Sequence, residues 1–81
     1  MSIICIYRVT VDIPDAVWHH FGGTPAFDLA TSEATAGNVG VEEINHYAEV
    51  TWHCEYHTYR EAEAAQRRMM DVCYKFAGKL L

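Results

Sequence analysis

Before position 60 this chain holds a single cationic side chain, Arg8; the other five, Arg60, Arg67, Arg68, Lys75 and Lys79, crowd into the last 22 residues of 81. Residues 1–59 set eight carboxylates (Asp12, Asp15, Asp28, Glu33, Glu42, Glu43, Glu49 and Glu55) against Arg8, a formal charge of −7, whereas residues 60–81 set five cations against Glu61, Glu63 and Asp71, for +2. The scarcity of cations speaks against direct binding of nucleic acid, which is driven by neutralising several phosphates. Arg67 and Arg68 are the most suggestive basic pair, but Glu63 lies one helical turn before Arg67 and a solvated helix face accounts for them.

Long apolar runs are also missing. The longest, Met1 to Tyr7, is already interrupted at Ser2, which leaves no membrane span and no signal peptide with a basic n-region. The expected location is the cytoplasm. Cysteines are few and odd in number: Cys5, Cys54 and Cys73 are widely spaced, with no CxxC pattern. A disulfide framework and a thiolate metal site are both unsupported, and all three are expected as reduced thiols on core faces. With two prolines and no repeat or low-complexity stretch, nothing reads as a linker, and residues 1–81 are expected to form one domain. A chain of this size buries only about 60 to 65% of its unfolded surface, so a large internal substrate cavity is excluded.

Catalytic signatures are absent as well. Gly22-Gly23 has neither the preceding strand nor the following glycine or lysine of a phosphate loop. Cys54 adjoins His53, yet neighbours on a strand point to opposite faces, so the pair cannot act as nucleophile and base.

What is present is a clear pattern in the second half. From Tyr47 to Tyr56 the chain alternates, with Ala48, Val50, Trp52, Cys54 and Tyr56 on one side and Tyr47, Glu49, Thr51, His53 and Glu55 on the other, continued by His57. This predicts a half-buried strand with one core face and one wet face. Thr58 followed by Glu61 has capping-box spacing, and Ala62, Ala65, Met69, Val72, Cys73, Phe76 and Leu80 form the apolar stripe of a helix that Gly78 is expected to end. In the first half, Ile3, Cys5, Tyr7, Val9, Val11 and Ile13 predict a first strand, stopped by Pro14 and followed by a short helical turn over Asp15 to Phe21. Residues 24–46 leave two readings open: Thr24 and Pro25 suit a helix cap and first turn, while the alternation around Phe27 and Leu29 suits a strand. The expected fold is α+β: a small antiparallel sheet of about three strands, with one C-terminal amphipathic helix packed on one face.

Two functional classes follow. The first is a non-enzymatic interaction protein without cofactor, whose acidic surface docks on a basic surface of a partner protein, with Glu42, Glu43, Tyr47, Glu49, His53, Glu55 and His57 as the candidate binding residues. The expected molecule presents a negative face and a mildly positive back. Basic clefts most often belong to nucleic-acid-handling proteins, so a regulator or inhibitor of such a machine is the natural candidate. In size, acidity and lack of catalytic motif the chain resembles phage-encoded inhibitors of bacterial defence, anti-CRISPR proteins among them; the resemblance is one of composition, and no residue motif carries it. The second class is a small metal- or ligand-binding domain or dimeric enzyme using His53, Glu55 and His57. Those three project from one strand face, but the two histidines stand about 13 Å apart at their roots, and an exposed polar strand face is the simpler account. Ile4 and Ile6, apolar on the otherwise polar row of the first strand, are expected to be covered either by the middle segment or by a second copy in a homodimer.

Overall fold

A computed structural model describes residues 5–81. Strand β1 (Tyr7–Ile13) leads into helix α1 (Asp15–Phe21) and helix α2 (Pro25–Ala34); strands β2 (Gly40–Ile44) and β3 (Val50–Tyr56) follow, and helix α3 (Tyr59–Gly78) closes the chain. The sheet has the order β1-β3-β2 and both pairings are antiparallel. The fold is α+β, with the C-terminal helix packed on the sheet.

Alternation in β1 and β3 decides where the core lies. Val9, Val11 and Ile13 pair across to Cys54, Trp52 and Val50, and opposed residues of an antiparallel pair share a face. On that face α3 contributes Ala62, Ala65, Met69, Cys73 and Phe76, α1 contributes Val17, and α2 contributes Phe27 and Ala34, all in one buried cluster. The three helices therefore cover one side of the sheet. Phe76 is the hub of the helical layer, with its ring 5.0 Å from that of Phe21 and 5.2 Å from that of Phe27, both edge-on.

The helix starts follow local chemistry. Thr58 Oγ1 accepts the Glu61 amide at 3.2 Å, and Thr24 Oγ1 accepts the Phe27 amide at 3.4 Å with Pro25 in the first turn. Two caps of one kind thus begin α3 and α2, and residues 24–34 resolve as helix. The C-terminal end of α2 is tied to α3 by the Arg68 Nε–H, which donates to the Ala34 carbonyl at 3.0 Å. Arg68 is accordingly a half-buried cap rather than part of a solvated helix face. Gly78 is the last helical residue, with a right-handed C-cap at Lys79, so α3 does not end on a left-handed glycine.

Other expectations need correction. The strand predicted from Tyr47 starts at Val50, because Asn45–Glu49 form a turn: Asn45 Oδ1 accepts the backbone N–H of Tyr47 (2.9 Å) and of Glu49 (3.0 Å). Ala48 lies in that turn at φ 63°, exposed, and not on the core face. The first strand begins at Tyr7, and Cys5 is exposed instead of buried. Tyr7, 38% exposed, packs at the rim against Tyr59, with ring centroids 6.1 Å apart. Of the expected apolar seam, Ile6 is 58% exposed, and Ile4 lies outside the described residues.

Candidate functional site

Among the described residues nothing covers the face of the sheet opposite the helices. On it the polar rows of the three strands stand side by side: Arg8, Thr10 and Asp12 from β1, Thr51, His53 and Glu55 from β3, and Val41 and Glu43 from β2. Glu49 joins them at the end, where it lines a shallow groove with Arg8, Thr10, Glu43, Thr51 and His53. The face holds four carboxylates, Asp12, Glu43, Glu49 and Glu55, against one cation, a formal charge of −3.

His53 is the centre of this face. Glu43 Oε1 lies 2.9 Å from its Nε2; a carboxylate only accepts, so Nε2 carries the proton and donates. Arg8 Nη2 stands 3.0 Å from Nδ1 and 3.1 Å from Nε2. A nitrogen nearly equidistant from both ring nitrogens cannot lie in the ring plane without striking the carbon between them. Nη2 therefore lies off the ring plane, over the imidazole face. The same Nη2 is 4.0 Å from Glu43 Oε1. One residue from each strand thus forms a compact Arg8–His53–Glu43 group, and the one cation of the face is partnered within it.

The remaining candidates divide. Glu55 is exposed and its backbone carbonyl accepts the Asn38 side-chain amide at 2.9 Å. His57 lies just past β3, where it lines a groove of about 550 Å³ with Ile6, Val39, Val41, His53 and Glu55. Glu49 accepts the Asn45 side-chain amide at 3.1 Å, which fixes it beside the turn, and Tyr47 at the turn's tip is 74% exposed with its ring 4.1 Å from that of His46. Glu42 is separated from the group: it pairs with Trp52, and so points to the helix side of the sheet. There burial, and then the charge of Asp28, push its carboxyl above the usual range.

Arg8 and Asn45 belong to these sites and were not among the candidates. For Arg8 the signal was present, since Arg8, Thr10 and Asp12 share the parity of the wet row. Asn45 depends on a turn that a local pattern does not encode. Among the described residues no three histidine, cysteine, aspartate or glutamate side chains gather as a group able to hold an ion. Cys54 is buried on the far face from His53, its Sγ donating to the Val39 carbonyl at 3.3 Å. No helix among the described residues is long and apolar enough to cross a membrane.

No protein-family model, no curated protein and no solved structure matches this chain.

Proposed function

We propose that this is a non-enzymatic interaction protein that lays the bare face of its sheet on a basic surface of a partner protein, acting as a regulator or inhibitor of a nucleic-acid-handling machine. One observation carries the reading: four carboxylates share an uncovered face whose single cation is already held by His53 and Glu43. Carboxylates in excess of the cations beside them attract and orient a basic partner, raising association rate and specificity. Tyr47 at 74% exposure and the apolar groove beside His57 add the aromatic and apolar anchors that such interfaces use. Basic surfaces of this kind are commonest on proteins that handle nucleic acids, which is also the class suggested by the compositional resemblance to phage-encoded inhibitors.

The test begins with affinity capture from the native cell and identification of the partner by mass spectrometry. Affinity is then measured at two salt concentrations for Glu43→Lys, Glu49→Lys and Glu55→Lys, singly and combined. The triple reversal is expected to weaken binding at least about tenfold and to flatten its salt dependence, with circular dichroism unchanged. Affinity indifferent to both the reversals and salt would overturn the reading.

A further inference from the structure

Strand β2 has β3 on one side and, among the described residues, no strand on the other. The phase of its ladder can be read from the turn, where the Asn45 backbone N–H donates to the Glu49 carbonyl at 3.0 Å. Bonding direction alternates along an antiparallel strand. Glu43 and Val41 therefore bond toward β3, while Gly40, Glu42 and Ile44 turn their N–H and C=O groups outward to an unoccupied edge.

The side chains of those same three residues face the helix side, where a recess of about 510 Å³ lies between α2 and β2, its lining including Asp28, Thr31, Thr35, Gly40, Glu42 and Trp52. Trp52 is only 1% exposed, yet its indole N–H has no hydrogen-bond partner among the described residues and is not sealed from solvent. A Cβ on Gly40 would stand 2.7 Å from that nitrogen, so the bare glycine keeps the space beside it open. The threonine hydroxyls are spent locally, Thr31 on the Asp28 carbonyl at 3.0 Å and Thr35 on the Ser32 carbonyl at 2.7 Å. What the recess offers is a deeply buried unused donor, the Trp52 N–H, the hydroxyl of Ser32 at its rim, and two carboxylates, Asp28 and Glu42, whose mutual repulsion a cation would relieve.

We infer that the outer edge of β2 is a strand-addition site for an extended segment of the partner protein bearing a lysine or arginine. The segment pairs with the backbone of Gly40, Glu42 and Ile44, and its cation enters the recess between Asp28 and Glu42. Opposed residues of paired strands share a face, so the partner residue across from Glu42 points directly into the recess. Main-chain pairing supplies affinity and the pocketed side chain supplies specificity, as in other strand-addition complexes. Charge disfavours a second copy in this position: antiparallel pairing of β2 about its own centre sets Glu42 against Glu42 and brings two Asp28 side chains near. The inference rests on the proposed reading that the partner is basic, and it places one contact at the edge of the sheet rather than on its open face.

The probe is a capped heptapeptide, Thr-Val-Thr-Lys-Thr-Val-Thr, compared with its central-Glu counterpart and with a version N-methylated along one edge. In the free protein, amide exchange followed by NMR should be slow at Val41 and Glu43 and fast at Glu42 and Ile44. The lysine peptide should bind about tenfold or more tightly than the glutamate peptide, equivalent to about 1.4 kcal/mol, and should slow exchange at Glu42 and Ile44. N-methylation should abolish this, and Asp28→Asn with Glu42→Gln should erase the preference for lysine. Equal binding of the two peptides, unchanged exchange at Glu42 at saturation, or dimerisation through this edge in sedimentation would each overturn the inference. With the captured partner, loss of binding by the open-face reversals alone, with Asp28→Asn and Glu42→Gln inert, sinks the edge site and leaves the face; the opposite result sinks the face alone.

Discussion

Tyr56 joins the sheet to the end of α2 through one buried hydrogen bond, its hydroxyl donating to the Thr35 carbonyl at 2.9 Å. Burial, then hydrogen bonding and charge from Cys54, push its hydroxyl up to about 12 from an ordinary 10.0, against a smaller opposing pull from Arg68. A raised value means the folded state holds this proton more tightly than the unfolded chain does. The stabilisation is complete below about pH 10 and is lost as the pH climbs toward 12. Tyr56→Phe should cost about 1 kcal/mol at neutral pH for the lost hydrogen bond, and chemical denaturation should show a shallower fall in stability than the parent between those two pH values. The cysteines give a second test at this scale. Cys5 is exposed whereas Cys54 and Cys73 are buried, and burial pushes the Cys73 thiol up. A thiol reagent such as Ellman's should label one cysteine rapidly in the native protein and the other two only with unfolding, with Cys5→Ser removing the fast phase.

Among the elements, α1 and α2 depend on α3 more than on the sheet, and Phe76 is where all three meet. Phe76→Ala should cost about 3 to 5 kcal/mol through lost burial and the cavity left behind. A domain of this size has only about 5 to 15 kcal/mol in total, so thermal unfolding should shift far down and broaden, while Phe76→Leu retains most of the stability. The parts of the fold most legible in the sequence were those held by repeated local pattern. The alternation from Val50 to Tyr56 and the stripe from Ala62 to Phe76 each bury the residues their periods select. The boundaries were less legible, because Asn45 wins the stretch before Val50 by offering its side chain to two backbone amides, and no period of two records that competition. Residues 24–34 were ambiguous since α2 is weakly patterned; its helical state is set by the Thr24 cap, Pro25 and the packing of Phe27 on Trp18 and Phe76. Of the candidate site, His53 and Glu55 share a face as the alternation selects; Glu43 lies in a segment whose pattern left strand and helix open, and its neighbour Glu42 points to the other face because adjacent strand residues cannot share one.

Seen whole, the molecule is a two-layer sandwich of sheet and helices with its charge distributed unequally between them. The open face carries −3, but the helical layer is not its positive counterpart: Asp15, Asp28, Glu33, Glu61, Glu63 and Asp71 offset the four cations of α3 and Lys79 at its C-cap, leaving it at −1. Acidity is therefore concentrated on the sheet and only diluted elsewhere, which favours the open face and its β2 border as the place where a basic partner is drawn in. That border has a colloidal consequence too. A strand with its outer edge unpaired among the described residues, with exposed Val41 and Ile44 and preceded by Val39 at 81% exposure, is the kind of edge that seeds cross-β growth unless charge guards it. Glu42 and Glu43 are that guard, and Glu42, whose carboxyl burial and the charge of Asp28 hold above the usual range, loses its charge at a higher pH than an ordinary carboxylate. With net charge also vanishing near pH 5.4, light scattering and thioflavin T fluorescence should rise steeply as the pH falls toward 5, and Glu42→Gln should move that onset to higher pH. The acids that the proposed reading sets against a basic partner are by the same token the charges that oppose edge-to-edge growth of the free protein.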